Sequence, residues 1–386
     1  MDANPILGVI YHWIGGFASG SFYVPFKAVK KWSWEVYWLL GGVFSWLIAP
    51  WVLGLMIVPH LTQILAQQPI SVLGWTFFWG MMWGFGGLTY GLTMRYLGMS
   101  LGTGIILGLT ALFGTYLPPI FDNTIGIKLH TVPGQVILIG SLFALLGIVI
   151  TAAAGMSKER EMDEEKKHKV IEEFNLRKGI WVAIFSGVMS ACFAFGLDSA
   201  NPIAVSAMHY GAADIWSGLP KIIVITAGGF VTNLVWCVYL MRKNGTFGEY
   251  FGRFANRKER LELPLAKDAS GALDPTDQFA ESSVGTARTT LLTNYLFSAL
   301  AGTTWYFQFF FYTMGESQMG NYKFSSWTIH MASIIIFGSL WGIFLKEWKD
   351  TNGLSKFLLG VALFTLIAST IVIGYGNLLG VQLGGH

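Results

Sequence analysis

An all-α integral membrane protein of ten transmembrane helices, arranged as a 5+5 inverted repeat, is the fold class this sequence predicts. Three observations predict it. The 386 residues are 53% hydrophobic and only 12% charged, where soluble domains carry about a quarter charged residues. Apolar runs of about 20 residues, the length a helix needs to cross the hydrocarbon, recur from Ile6 to Leu379. The basic residues fall almost entirely on one side of the helices so defined. A soluble enzyme, a disordered chain and a nucleic-acid binder are excluded by the mean hydropathy of +0.53.

In chain order the first-half spans are 6–26, 36–58, 72–95, 99–121 and 133–155; the second-half spans are 179–198, 216–241, 289–313, 327–345 and 355–379. Helices are required because hydrocarbon cannot satisfy free backbone amides. The first run lacks a basic leader and continues through His12, so it reads as a retained helix and not a cleaved signal. Cys192 and Cys237 both fall inside apolar runs, which leaves neither a disulfide framework nor a zinc site.

The chain divides into a first half (1–155), a charged linker (156–178) and a second half (179–386) that includes a long loop (242–288). The linker, MSKEREMDEEKKHKVIEEFNLRK, has seven acidic and seven basic side chains and reads as a solvated connection. Of the 25 Lys and Arg residues, 22 lie on the side of the first connection, against Lys128 and Lys323 on the other side and Lys221 just inside the seventh span. By the positive-inside rule the 22-residue side is cytoplasmic and both termini face outward.

A shift of 171 residues superposes Gly8, Gly16, Ser19 and Phe22 on Gly179, Gly187, Ser190 and Phe193. A second echo pairs YGLTMRYLG (90–98) with FQFFFYTMG (307–315). Five is odd, so the second half enters the membrane upside down, the architecture of secondary transporters that rock about a site between their halves. Glycines support close helix contact: Gly80, Gly84, Gly87 and Gly91 form a stripe on the third span, and Gly98, Gly102, Gly104 and Gly108 crowd the fourth.

Polar groups inside the hydrocarbon are costly and mark function. The candidates are His12, Asn233, Gln308 and His330, with Asp198 at a helix end and Tyr90, Trp305 and Tyr306 as amphipathic aromatics; no Asp or Glu lies at the middle of any span. The spacing of His12, Gly16, Ser19 and Tyr23 puts them on one helix face, which is expected to line a wet cavity. Arg95 is placed to snorkel toward headgroups. Imidazoles, amides and indoles suit a small uncharged polyol, whose hydroxyls meet Asn, Gln and His while an apolar face meets a ring. An anionic substrate would call instead for a membrane Arg or Lys. The substrate-binding set is therefore His12, Tyr90, Asn233, Trp305, Gln308 and His330. The proton-coupling candidates are His12, His330 and Asp198, the imidazoles because they titrate near neutral pH.

Five strings carry a resemblance: FYVPFKAVKKWSWE (Phe22 to Glu35), YGLTMRYLGMSLG (Tyr90 to Gly102), EEFNLRKG (Glu172 to Gly179), WYFQFFFY (Trp305 to Tyr312) and LKEW (Leu345 to Trp348). They resemble the bacterial L-rhamnose/proton symporters, of the drug/metabolite transporter superfamily. The resemblance implies uptake of L-rhamnose, a 6-deoxyhexose, with a proton across the bacterial inner membrane. It also implies alternating access, no cofactor or metal, and as partners only the sugar or a related deoxysugar, the proton and the lipid bilayer, with no nucleic acid or obligatory protein partner. The loop 242–288 is longer than the family leads one to expect. An uncoupled facilitator, or a carrier of a related deoxysugar or other small neutral metabolite, is the alternative, favoured by the missing mid-span carboxylate. An intramembrane enzyme would need a motif such as HExxH, and it does not occur. A sugar receptor would carry a larger soluble domain than the loop 242–288.

Overall fold

The structure is a computed structural model that describes residues 3–97, 99–161, 175–253, 284–349 and 351–384. The centre of the charged linker and most of the loop 242–288 lie outside the described residues, as does the Arg95 side chain. Among the described residues there are helices and no strands, and ten of the helices have 17 residues or more. They are α1 (Pro5–Ser21), α2 (Trp34–Ile57), α3 (Ile70–Leu97), α4 (Met99–Phe121) and α5 (Val132–Arg160). The others are α6 (Leu176–Ser199), α7 (Leu219–Asn244), α8 (Val284–Ser317), α9 (Ser326–Phe344) and α10 (Gly353–Gly384).

Local chemistry sets several boundaries. The Asn4 and Asn175 side chains accept from the Leu7 and Lys178 amides and open α1 and α6; Thr131 caps α5 by accepting from the Gly134 amide, with Pro133 in the first turn. Gly245, at φ 65°, ends α7 in the left-handed conformation that a side chain would disfavour. α2 is not one regular helix: Val43–Ile48 is a π segment between two α stretches. Pro50 accounts for the break, because it has no N–H to give the Trp46 carbonyl. That carbonyl instead faces the Thr226 hydroxyl of α7 at 3.0 Å, while the Ala49 amide bonds back to Phe44.

Seven helices are long and apolar enough to cross a membrane by length and composition: α2, α4, α5, α6, α7, α9 and α10, several with flanking turns included. The protein is accordingly an integral membrane protein. α1 stops at 17 residues. In α3 glycine and tryptophan dilute the apolar character, and in α8 Asn294, Gln308, Glu316 and several threonines do so. Many large apolar side chains remain exposed, among them Met56, Trp75, Val149, Phe357 and Phe364, as a lipid-facing surface requires.

Both chain ends meet at one end of the bundle, here called the terminal face: Gly320 sits beside Ala3 and Val381. α1 packs on α8 and α9, and α6 packs on α3 and α4. α3 lies on α7, α2 on α8, and α5 runs along α10. Backbones come close where α3 meets α7, since a Cβ on Gly80 would fall 2.0 Å from the Ile225 carbonyl oxygen. Gly84 likewise abuts Thr232, whereas Gly87 faces open space.

The stripe expected to line a wet cavity does not do so. His12, Gly16 and Ser19 are buried, and a Cβ on Gly16 would lie 2.3 Å from the Ser333 Cβ on α9. Small residues there serve close helix contact. Tyr23 belongs to a separate short helix, Tyr23–Phe26, and is 46% exposed.

Candidate functional site

α1 contributes an imidazole to its close crossing with α8. His12 is fully buried, and its ring rests on the bare backbone of Gly315, where a Cβ would come within 2.8 Å of Cε1 and Nε2. Neither ring nitrogen of His12 has a hydrogen-bond partner. His330 of α9 is 6.1 Å away between ring centroids, and its Nδ1 is also unpartnered. Tyr312 of α8 sits between them, with its ring centroid 5.2 Å from each imidazole. Gln308, one turn earlier on α8 and 5% exposed, lies at the α1 crossing, its backbone carbonyl oxygen 3.0 Å from where a Gly15 Cβ would fall. The structure brings His12, His330 and the Gln308 backbone to one region of the α1 crossing, with Tyr312 beside both imidazoles.

Trp305 belongs to a second cluster. Its ring stacks on Phe22 at 4.9 Å and 11°, and lies 5.3 Å from Trp38 and 5.2 Å from Trp46. Trp83 of α3 and Phe309 close the group. Asn233 takes part through a bond with a plain packing role: its Oδ1 accepts from Trp38 Nε1 at 3.1 Å, and its Nδ2 donates to the Gly229 carbonyl. Trp46, carried by the π segment, is 1% exposed with an unpartnered indole N–H. Buried polar groups are normally satisfied, so such donors and acceptors mark places that take a ligand, a water or a proton.

Two expected residues stand apart. Tyr90 donates to Thr103 at 3.0 Å and packs in a small apolar group with Leu97, Ile106 and Ala183, away from the imidazoles. Asp198 lies at the end of α6, accepts from Asn201 at 3.0 Å, and is within electrostatic reach of Asp122, Lys221 and Glu316. Tyr306, 0% exposed, has an unpartnered hydroxyl.

Charged residues missed by the sequence reading are the larger surprise. α8 runs four residues past the expected span end, to Ser317, so Glu316 sits on the helix and pairs with Lys221 of α7 at 3.1 Å. At the face opposite the termini, Glu249 is fully buried and accepts from the Ser33 amide at 2.6 Å and its hydroxyl at 2.9 Å. Glu35 accepts from Asn244 and Thr246, and Asn294 holds both backbone groups of Lys30. Tyr250 donates to the Val36 carbonyl at 2.9 Å; burial, with neighbouring Cys237, Tyr295, Glu35 and Glu249, pushes its hydroxyl pKa up and keeps it a donor. The string FYVPFKAVKKWSWE therefore folds into a network that ties the first half to the second. The signal available in the sequence was Glu35 next to an apolar run.

Comparison with known proteins gives these residues a family. The L-rhamnose-proton symport protein (RhaT) family model matches residues 1–247 and 277–379, leaving out only a segment inside the long loop and the last few residues. A protein named L-rhamnose-proton symporter from Yersinia pestis (strain Pestoides F) is 37% identical over 377 residues, 97% of this chain and 99% of its own length. One of the same name from Yersinia pseudotuberculosis serotype O:1b (strain IP 31758) matches to the same extent. With a model covering nearly the whole chain and relatives aligned end to end, the protein belongs to the L-rhamnose-proton symport protein family.

Proposed function

We propose that this protein is a secondary active transporter that takes up L-rhamnose with a proton across the bacterial inner membrane. The observation that carries the reading is end-to-end similarity to proteins named for that activity, joined to two buried imidazoles with free nitrogens at a helix crossing. The chemistry is consistent. An aromatic surface around Trp305 fits the apolar face and methyl group of a 6-deoxy sugar. Gln308 at the imidazole crossing, and the unpartnered Trp46 N–H in the ring cluster, offer hydrogen bonds to hydroxyls. His12 exchanges the proton, and His330, with Tyr312 between them, positions sugar or shares that proton. Asn233 shapes the ring surface through Trp38. Tyr90 and Asp198 act at the two ends of the pathway, where they line the approach.

The architecture we propose is ten membrane spans in two inverted halves, a drug/metabolite transporter arrangement working by alternating access. It is supported by the pairing of helices: exchanging α1 to α5 with α6 to α10 turns each major contact into another. Gly8 packs on α8 at Gly315 as Gly179 packs on α3 at Tyr96 and Leu97, and Gly16 packs on α9 as Gly187 packs on α4. The common position of the two termini agrees with an even number of crossings, and the distribution of Lys and Arg supports a periplasmic position for that face. The hydrogen bonds of Glu249, Glu35 and Asn294 then close the cytoplasmic side, and release of that network opens the inward path.

The test is transport by the purified protein in liposomes with labelled L-rhamnose and an imposed pH gradient. Uphill accumulation that collapses with an uncoupler supports the proposal. Saturable uptake that ignores the gradient would leave a facilitator.

A further inference from the structure

We propose that Glu316 is a proton-binding carboxylate in series with the imidazoles, on the terminal-face side of them, held in place by Lys221. The inference rests on the reading that a proton drives this transporter, and goes beyond it by naming a second station on the proton's route.

Glu316 follows Gly315, whose missing side chain lets His12 lie against α8. It lies one helical turn past Tyr312, the ring between the two imidazoles. Its Oε2 is 3.1 Å from Lys221 Nζ. The Lys221 side chain is 4% exposed and the Glu316 side chain 17%, so the carboxylate is the half of the pair that reaches the terminal face. Charges inside a membrane protein are expensive and persist where they serve transport. A buried pair seldom adds net stability over apolar residues of the same size. The pair is therefore poorly explained as a strut.

Its surroundings leave a charge to fill. Lys221 Nζ also lies 3.5 Å from Asn201 Oδ1, and Asn201 bonds Asp198. Asp198 is coupled electrostatically to Asp122, Lys221 and Glu316, and Lys128 to Asp122 and Asp198. Asp122 is exposed, so around Lys221 two carboxylates, Glu316 and Asp198, share one ammonium, and the surplus negative charge is one that a proton completes. When Glu316 takes a proton, an O–H bond forms on the carboxylate and Lys221 keeps Asp198 as counter-charge. The proton then leaves the oxygen for a free nitrogen of His12, which becomes an imidazolium. The other titratable groups facing this end of α8 are His12 from α1, His330 from α9 and Tyr312 on α8 itself. Asp214 before α7 and Lys323 before α9 are exposed.

The experiment uses full-length protein in liposomes loaded with a pH dye and compares native protein, Glu316→Gln, and the double variant Lys221→Met with Glu316→Gln, which removes both members of the ion pair. Rhamnose-dependent proton entry and uphill accumulation are expected in native protein and lost in both variants, while rhamnose counterflow, which moves no net proton, persists. Proton entry at the native level in either variant overturns the proposal. Loss of counterflow in both variants overturns it too, since the pair would then be structural. Failure of native protein to couple rhamnose to protons would instead sink the transport reading, and is told apart by the control.

Discussion

An imidazole buried with neither nitrogen bonded, as His12 is, gives up about 1–3 kcal/mol of hydrogen bonding that water would supply. That cost is the residue-scale reason to assign it a moving proton and not a packing role. His12→Gln is expected to abolish uphill accumulation while leaving counterflow, measured side by side in the same vesicles; His330→Gln, if it positions sugar, loses both. If both variants still accumulate sugar against a gradient, the imidazoles are not the coupling groups. Gln308→Leu is expected to raise KM several-fold at unchanged expression, because one lost sugar hydrogen bond is worth about 0.5–1.5 kcal/mol. Unchanged kinetics would make Gln308 a packing residue. The imidazoles and Gln308 were legible in the sequence because a lone polar residue in an apolar run has few explanations. Glu316 was not, since hydropathy marked the end of a span four residues before the helix ends. Glu249 was not either, since nothing local announces that a carboxylate in a loop will be buried by a segment more than 200 residues away.

Elements show where sequence patterns suffice and where they do not. The glycine stripe of α3 is legible in the sequence, and the structure sorts its members: Gly80 touches the α7 backbone, while Gly87 meets nothing. Gly80→Val is therefore expected to cost several kcal/mol, read as lost monodisperse protein in detergent, on the scale of about 1–3 kcal/mol or more for overpacking. Gly87→Ala should be silent. The π segment of α2 is a different case. Pro50 signals a break inside the span, yet the sequence does not say whether the chain answers with a kink or with an added residue per turn. The choice depends on Thr226, a residue of another helix, whose single hydroxyl hydrogen is shared between Ile222 and Trp46 carbonyls at 2.7 and 3.0 Å. Thr226→Val leaves the Trp46 carbonyl without a donor. A drop of about 1–2 kcal/mol in stability is expected, with a change in the tryptophan fluorescence of the cluster around Trp305. An unchanged spectrum and melting temperature would mean that Pro50 alone sets the segment.

At the scale of the whole molecule the claim is that two inverted halves meet over an aromatic and imidazole-lined site, tied shut at both faces. The helices that fall short of simple membrane-span measures, α1, α3 and α8, are those that carry His12, the glycine stripe and the Trp305 to Glu316 face. α1 falls short by length alone, whereas glycine, tryptophan and polar residues dilute α3 and α8, so hydropathy identifies the other seven helices more readily. A reporter active only in the cytoplasm, fused to the C-terminus after His386, is expected to stay inactive, and activity there would reverse the orientation. The most direct measurement is sugar-induced pH change in energised vesicles across a panel of deoxyhexoses. The account predicts that L-rhamnose alkalinises the outside medium, that an uncoupler abolishes the signal, and that other deoxyhexoses give less; rhamnose entry with no pH change, or an equal response to every sugar, would contradict it.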